Sequence, residues 1–298
     1  MNSSTTKSSS GPRPAQLTVR DHDRDLAGFK YVYAVLARRS GGVSVGINLN
    51  PNNACNWHCA YCQVPGLVRG KPPAIDLGLL EHELRSFLAD LLQGRWMQRF
   101  VPEGAREIRD IAFSGNGEPT SAAEFGAALD LVLRVRDEFD LAGGQGREGV
   151  PVRLITNGSL MHRASVQDAV RRLGEAGGEV WFKVDGGTTE AIERINGVRL
   201  QPATVARKLA RCAALCPTWV QTCMFRWDGR APDDADIDAY LALLEAAGIG
   251  ALRGVLLYGV ARPSMQPEAV RLAALDETGL NAIARRIEKK GLTVRVSP

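Results

Sequence analysis

Apolar positions along this chain recur in two rhythms, and the rhythms alternate. Val43, Val45 and Ile47 alternate with Ser44, Gly46 and Asn48, the period of a strand with one face buried. Leu79, Leu80, Leu84, Leu88 and Leu91 then fall at helical spacing behind Asp76, a good N-cap, and predict a helix to about residue 93. The switch repeats down the chain. Strands are expected at 108–113, 152–156, 180–184, 219–225 and 252–258, with a short closing strand at 292–296. Helices are expected at about 122–139, 161–176, 190–195, 202–215, 233–247 and 276–290, with Pro202 opening its helix.

Strands alternating with helices of this length make βαβ units and a parallel sheet. Six such units predict an α/β fold of the incomplete (β/α)6 TIM-like barrel type, with a short N-terminal extension. Residues 1–20 hold little but Ser, Thr, Gly and Pro and read as a disordered tail. Residues 21–42 read as the extension, whose apolar stretch from Phe29 breaks at Arg38, Arg39 and Ser40. The barrel spans 43–265, and 266–298 supply a C-terminal helix and strand packed on it. The glycine-rich segment 142–146 is expected to be flexible. In such barrels the chemistry sits at the C-terminal ends of the strands.

Composition narrows the class. The 298 residues are 45% hydrophobic and 23% charged, as expected of a soluble globular protein, and a net charge of +4 permits an anionic partner without demanding one. No apolar run reaches the roughly 18 residues that a membrane span needs. The polar first sixteen residues lack the apolar core of a secretory signal. A cytoplasmic protein without a membrane partner is expected. Its thiols stay reduced there, so grouped cysteines point to metal or redox chemistry.

Three of the six cysteines, Cys55, Cys59 and Cys62, fall within eight residues just after the first strand. Such thiolates suit an iron–sulfur cluster or zinc. Zinc would want a fourth protein ligand, and His58 adjoins Cys59 too closely to ligate without strain. A three-ligand cluster, a zinc site and buried or redox cysteines all stand at this point.

Polar, glycine-rich loops follow the next three strands. Gly115-Asn116-Gly117-Glu118-Pro119-Thr120 reads as a tight turn, or as a loop whose backbone approaches a ligand while Glu118 meets an ammonium group. Thr156-Asn157-Gly158 reads as a turn or as two polar contacts. Lys183 and Asp185 share one strand face, where they are costly unless they pair with each other or with a charged ligand. Cys212 and Cys216 lie i, i+4 on a helix with Val205 and Leu209, and Cys223 lies on the next strand. That is core packing or, alternatively, an auxiliary cluster. Gln221, Met224 and Arg226, then Tyr258, Arg262, Pro263 and Ser264, follow the fifth and sixth strands. Arg262 meets a substrate anion or solvent, and the same holds for Arg38 and Arg39.

The cysteine loop, with Tyr61 in its aromatic position, resembles the C-x3-C-x-aromatic-C loop of the radical S-adenosylmethionine (SAM) superfamily, and the likeness covers about residues 29–265. It implies a [4Fe-4S] cluster on Cys55, Cys59 and Cys62, with SAM as cosubstrate. It assigns SAM contacts to Tyr61, Gly115, Asn116, Gly117, Glu118, Thr156, Asn157, Lys183 and Asp185. Reductive cleavage of SAM to methionine and a 5′-deoxyadenosyl radical would start hydrogen abstraction from a substrate. The resemblance further implies a reductant such as flavodoxin or ferredoxin. No catalytic hydrogen donor is assigned. The substrate, whether small molecule, peptide or RNA, is unidentified. Tyr31-Val32-Tyr33, Arg38-Arg39-Ser40, the loop 113–120, the Lys183-x-Asp185-Gly186 strand end and Arg262-Pro263 are similar to the iron–sulfur oxidoreductases related to wyosine-type tRNA-modifying enzymes. The alternative class is a non-catalytic, zinc-stabilised nucleotide- or RNA-binding protein.

Overall fold

The computed structural model describes residues 17, 27–37, 41–143 and 148–297. Most of the expected tail, the Arg38–Ser40 break and most of the 142–146 segment lie outside the described residues. Leu17, within the expected tail, is buried, and its N–H donates to Phe100 O at 2.7 Å.

Eight strands form one sheet that curls into an open half-barrel. In chain order they are β1 (Val32–Ala37), β2 (Gly42–Ile47), β3 (Ile108–Phe113), β4 (Val152–Thr156), β5 (Glu179–Lys183), β6 (Thr218–Cys223), β7 (Gly254–Tyr258) and β8 (Val294–Ser297). Spatial order follows chain order. Strands β2 to β8 are parallel, and β1 lies antiparallel on the edge of β2.

The incomplete barrel is thus the observed architecture, with two additions. Within the apolar stretch from Phe29, Val32–Ala37 forms a strand of the sheet, held by its antiparallel ladder to β2. Glu83 pins the approach to that strand: its buried carboxylate accepts the N–H groups of Lys30 (2.9 Å), Tyr31 (2.8 Å) and Val32 (3.3 Å). The closing strand β8 also joins the sheet, by parallel pairing with β7.

The helices cover the outer face. They are α1 (Leu77–Gln93), α2 (Trp96–Phe100), α3 (Phe125–Glu138), α4 (Ala164–Glu175), α5 (Thr189–Asn196), α6 (Pro202–Ala213), α7 (Asp234–Ala247) and α8 (Glu277–Glu288). Asp76 caps α1 by accepting Leu79 N–H at 2.9 Å, and Asp233 and Asp236 form a reciprocal box at the start of α7. Leu80, Leu84, Leu88, Leu129, Val132 and Leu244 bury one stripe of each helix against the sheet. The fifth predicted strand is really two. β6 ends at Cys223, and Phe225–Trp227 turns away to pair antiparallel with Leu272–Ala274. Cys216 lies on the turn beyond α6, not on the helix, and it and Cys212 are buried in the main core.

Candidate active site

Because the strands are parallel, their C-terminal ends open at one mouth, and every polar loop singled out in the sequence emerges there. The cavity behind that mouth measures about 350 Å³. Cys55, Cys59, Cys62, Tyr61, Gly115, Asn116, Gly117, Glu118, Asn157 and Lys183 all border it. Thr156 and Asp185 do not. Thr156 donates to Glu118 Oε1 at 2.6 Å from behind. Asp185 borders a second cavity, of about 640 Å³, beyond Tyr61.

The cysteine loop is fastened on four sides. Asn116 Nδ2 donates to Asn53 Oδ1 at 2.6 Å from the loop after β3. Asn56 bonds to both Asn157 (2.9 Å) and Ser159 (2.7 Å) after β4. The N–H groups of His58 and Ala60 donate to Asn196 O and Ile195 O at the end of α5, at 3.1 and 2.8 Å. From the far end of the chain, Ser264 Oγ donates to Ala60 O (2.6 Å), and Gln266 Nε2 donates to Cys62 O (3.2 Å) and Val64 O (2.9 Å).

The glycine pair has a job beyond approach to a ligand. Asn48 Oδ1 accepts the N–H groups of Asn50 and Asn116 at 3.0 and 3.1 Å, which draws the loop after β3 onto the cysteine loop. Gly115 has φ +143°, and a side chain there would overlap Asn48; one on Gly117 would overlap Ala54 O and Asn50. These residues must be glycines for the two loops to touch.

Glu118 is a buried hub. Its carboxylate accepts Thr120 N–H (3.2 Å), Thr120 Oγ1–H and Thr156 Oγ1–H (both 2.6 Å) and Asn157 N–H (2.7 Å). Burial pushes its pKa above the usual glutamate value, and these four donors oppose the shift.

Asp185 plays the same part for the other wall. It accepts Tyr61 OH (2.5 Å), Asn196 Nδ2 (2.8 Å) and Cys223 N–H (2.9 Å). Lys183 does not pair with it directly: Nζ sits 3.2 Å from the Tyr258 hydroxyl and 4.9 Å from the centre of the Tyr61 ring. Burial works against the ammonium, but the fields of Tyr258, Asp185 and Cys59 outweigh it and raise the lysine pKa.

Burial raises the Cys55 thiol to about 11 and the Cys59 thiol to about 12. Each sulfur also receives an N–H: Trp57 N on Cys55 at 3.5 Å, and Asn196 Nδ2 on Cys59 at 3.3 Å. Both bonds favour the thiolate over the thiol. Among the described residues, no three His, Cys, Asp or Glu side chains close on a point as they would around a single metal ion. Three separate thiols bordering one cavity fit a cluster, in which each thiolate takes its own iron.

Asn196 and Gln266 are site residues that sequence reasoning missed, while Tyr258 and Ser264, singled out after the sixth strand, here meet Lys183 and the cysteine-loop carbonyls. Asn196-Gly197 looks like an ordinary helix C-terminus, and Gly197 is indeed the left-handed cap of α5. Arg262 borders the cavity and donates to Gln63 Oε1 at 3.5 Å. Met224 is buried, and Arg226 lies in the small ribbon paired with Ala273.

The comparisons with known proteins agree with this picture. The Radical SAM superfamily model matches residues 49–226, more than half of the chain. UPF0026 protein slr1464 of Synechocystis is 26% identical over 174 residues, covering 56% of this chain and 53% of its own length. The chain spans about half or less of the curated relatives it matches. A radical SAM methyltransferase from Sphaerobacter thermophilus superposes with a TM-score of 0.60 at 15% identity, over 89% of this chain and 68% of that one. Native anSMEcpe with AdoMet bound superposes at 0.51 and 15% identity, over 84% and 63%.

Proposed function

The chain belongs to the radical SAM superfamily and is an enzyme of that superfamily, and on this premise we propose that Cys55, Cys59 and Cys62 hold a [4Fe-4S] cluster beside a SAM site in the half-barrel mouth. The observation that carries the reading is the sharing of one cavity by three thiols, a buried carboxylate and a buried ammonium. Family membership sets aside the non-catalytic, zinc-stabilised alternative, and among the described residues the three thiols have no fourth protein ligand of the kind a structural zinc site uses. When bound, the cluster would supply the electron that cleaves SAM to methionine and a 5′-deoxyadenosyl radical.

The protein's own residues bind and orient. Glu118 Oε2 accepts one bond in the described structure, from Asn157, and keeps a lone pair for the methionine ammonium. The backbone of Gly115, Asn116 and Gly117 lines the same wall. Lys183 and Asn157 face the cavity with donors suited to a carboxylate or ribose oxygen. Thr156 and Asp185 are positioning residues, one holding Glu118 and the other holding Tyr61 against the site.

The electron would come from a carrier such as flavodoxin or ferredoxin. Val68 pairs with Ala54 and is 51% exposed, while Met265, whose N–H bonds to Cys62 O, is 56% exposed. These two apolar side chains flank the cysteine loop, and no acidic residue occurs from 48 to 75, where Arg69 and Lys71 are exposed. An acidic carrier matches that face.

The test is anaerobic reconstitution with iron and sulfide, then reduction by dithionite with SAM present. 5′-Deoxyadenosine is the expected product. Stoichiometric zinc without sulfide in the purified protein would end the reading.

A further inference from the structure

The cavity continues from the cysteine thiols toward the floor of the half-barrel, and one wall carries a polar atom that the fold leaves alone. Gln221, on β6, is 5% exposed, and its side-chain Oε1 is buried without a hydrogen-bond partner among the described residues. An unsatisfied buried carbonyl carries a desolvation cost that a leucine or methionine filling the same space would not. A residue that keeps this disadvantage in a cavity wall is a candidate for ligand recognition.

The neighbouring polar groups are already engaged. Lys183 pairs in register with Gln221 across the sheet, but its Nζ is directed at Tyr258. Leu256, the register partner on the other side, has no donor on its side chain. Deeper in, Arg153 bridges Asp110 and Glu179, with Nε 2.6 Å from Glu179 Oε1, and its guanidinium lies 4.9 Å from the centre of the Trp181 ring. Ser44 donates to Asp110. The floor is therefore a closed network, and Oε1 of Gln221 is the acceptor left over.

The aromatic rings of Tyr33 and Trp181 and the side chains of Val35, Ala112 and Ile155 also border the cavity. Aromatic walls favour a planar guest, and an amide oxygen accepts only from a donor. We propose that Gln221 is a specificity residue of this enzyme, accepting a hydrogen bond from an N–H of a planar amide or heterocyclic group of the substrate. The assignment of that group as substrate rests on the SAM site lying at the mouth above it.

Matched probe pairs test the inference without knowledge of the whole substrate. Indole and benzofuran share shape and differ in the N–H; benzamide and acetophenone differ in the same way. Calorimetry on the reconstituted holoprotein with SAM should show indole and benzamide binding about three- to tenfold tighter than their partners, the worth of one neutral hydrogen bond. In Gln221→Leu that preference should vanish, and the apoprotein should melt no lower than wild type. Equal affinity of wild type for both members, including undetectable binding of both, overturns the proposal. So does a fall in melting temperature for both Gln221→Leu and Gln221→Met, because Oε1 would then have a partner inside the fold. Dithionite-driven SAM cleavage by wild type is measured separately. Its absence alongside an intact donor preference would count against the SAM site while leaving Gln221 as a ligand contact.

Discussion

The Tyr61 hydroxyl donates to Asp185 Oδ2 at 2.5 Å, joining the last turn of the cysteine loop to the loop after β5, 124 residues away. Asp185 also holds Asn196, and Asn196 donates to Cys59 Sγ. One carboxylate thus fixes an aromatic wall of the site and, through one amide, the environment of a sulfur. Tyr61→Phe should cost about 1.5–3 kcal/mol, the worth of a hydrogen bond to a charged acceptor, seen as a lower unfolding midpoint in urea. It should also raise the KM for SAM, because the ring loses its anchor.

Asn196→Leu removes an N–H donor from Cys59. A cluster held there should become harder to reduce, since hydrogen bonds to sulfur stabilise the reduced, more negative state. Redox titration followed by electron paramagnetic resonance should find a lower midpoint potential than wild type. An unchanged potential would remove Asn196 from the site.

Cys59→Ala should abolish 5′-deoxyadenosine formation and lower iron and sulfide content. Cys212→Ala should leave both at wild-type levels, and should destabilise the fold by about 1–3 kcal/mol because the thiol is fully buried in the main core. Loss of iron from the Cys212 variant would instead indicate an auxiliary cluster.

Glu118→Ala strands four donors in the interior, and a loss of about 2–5 kcal/mol is expected. Thr156→Val removes only one of them and should cost about 0.5–3 kcal/mol, with a smaller loss of SAM affinity. If the two variants bound SAM as wild type does in equilibrium dialysis, the loop after β3 would be purely structural.

Arg69→Glu with Lys71→Glu should slow flavodoxin-driven SAM cleavage about tenfold or more at low salt while sparing the dithionite-driven reaction. Raising salt to about 0.5 M should slow the wild-type flavodoxin-driven rate toward that of the variant. Equal loss with dithionite would mean that the change damages the cysteine loop, whose Asn56 O accepts from Arg69 at 3.4 Å.

What the sequence made legible was set by periodicity and by short motifs. Alternation at 43–47 and helical spacing behind Asp76 placed β2 and α1 almost to the residue. The Cys55, Gly115 and Asn157 loops stood out because each follows a strand. β1 was not visible as a strand of the sheet because its apolar run lacks the alternation of a half-buried strand, and the Glu83 bonds that pin its start come from a helix some fifty residues away. Asn196 and Gln266 escaped notice for the same reason: their roles come from tertiary bonds to Cys59 and Cys62, not from any local pattern. Asp185 does not share the cavity that Lys183 borders; it holds Tyr61 and borders the second cavity, because β5 ends at Lys183 and the chain has left strand geometry two residues later.

The four-sided fastening of the cysteine loop bears on the order of assembly of the finished enzyme. Small zinc domains are unfolded until their metal arrives, because nothing else gathers the ligands. Here Asn53, Asn56, the pair His58 and Ala60, and Cys62 are tied to four different parts of the barrel by bonds that need no metal. With Cys55, Cys59 and Cys62 holding a cluster as proposed, folding would come first and loading second: the polypeptide would stand already shaped for cluster delivery, and a cluster lost to oxygen would be replaced without the chain having to fold again.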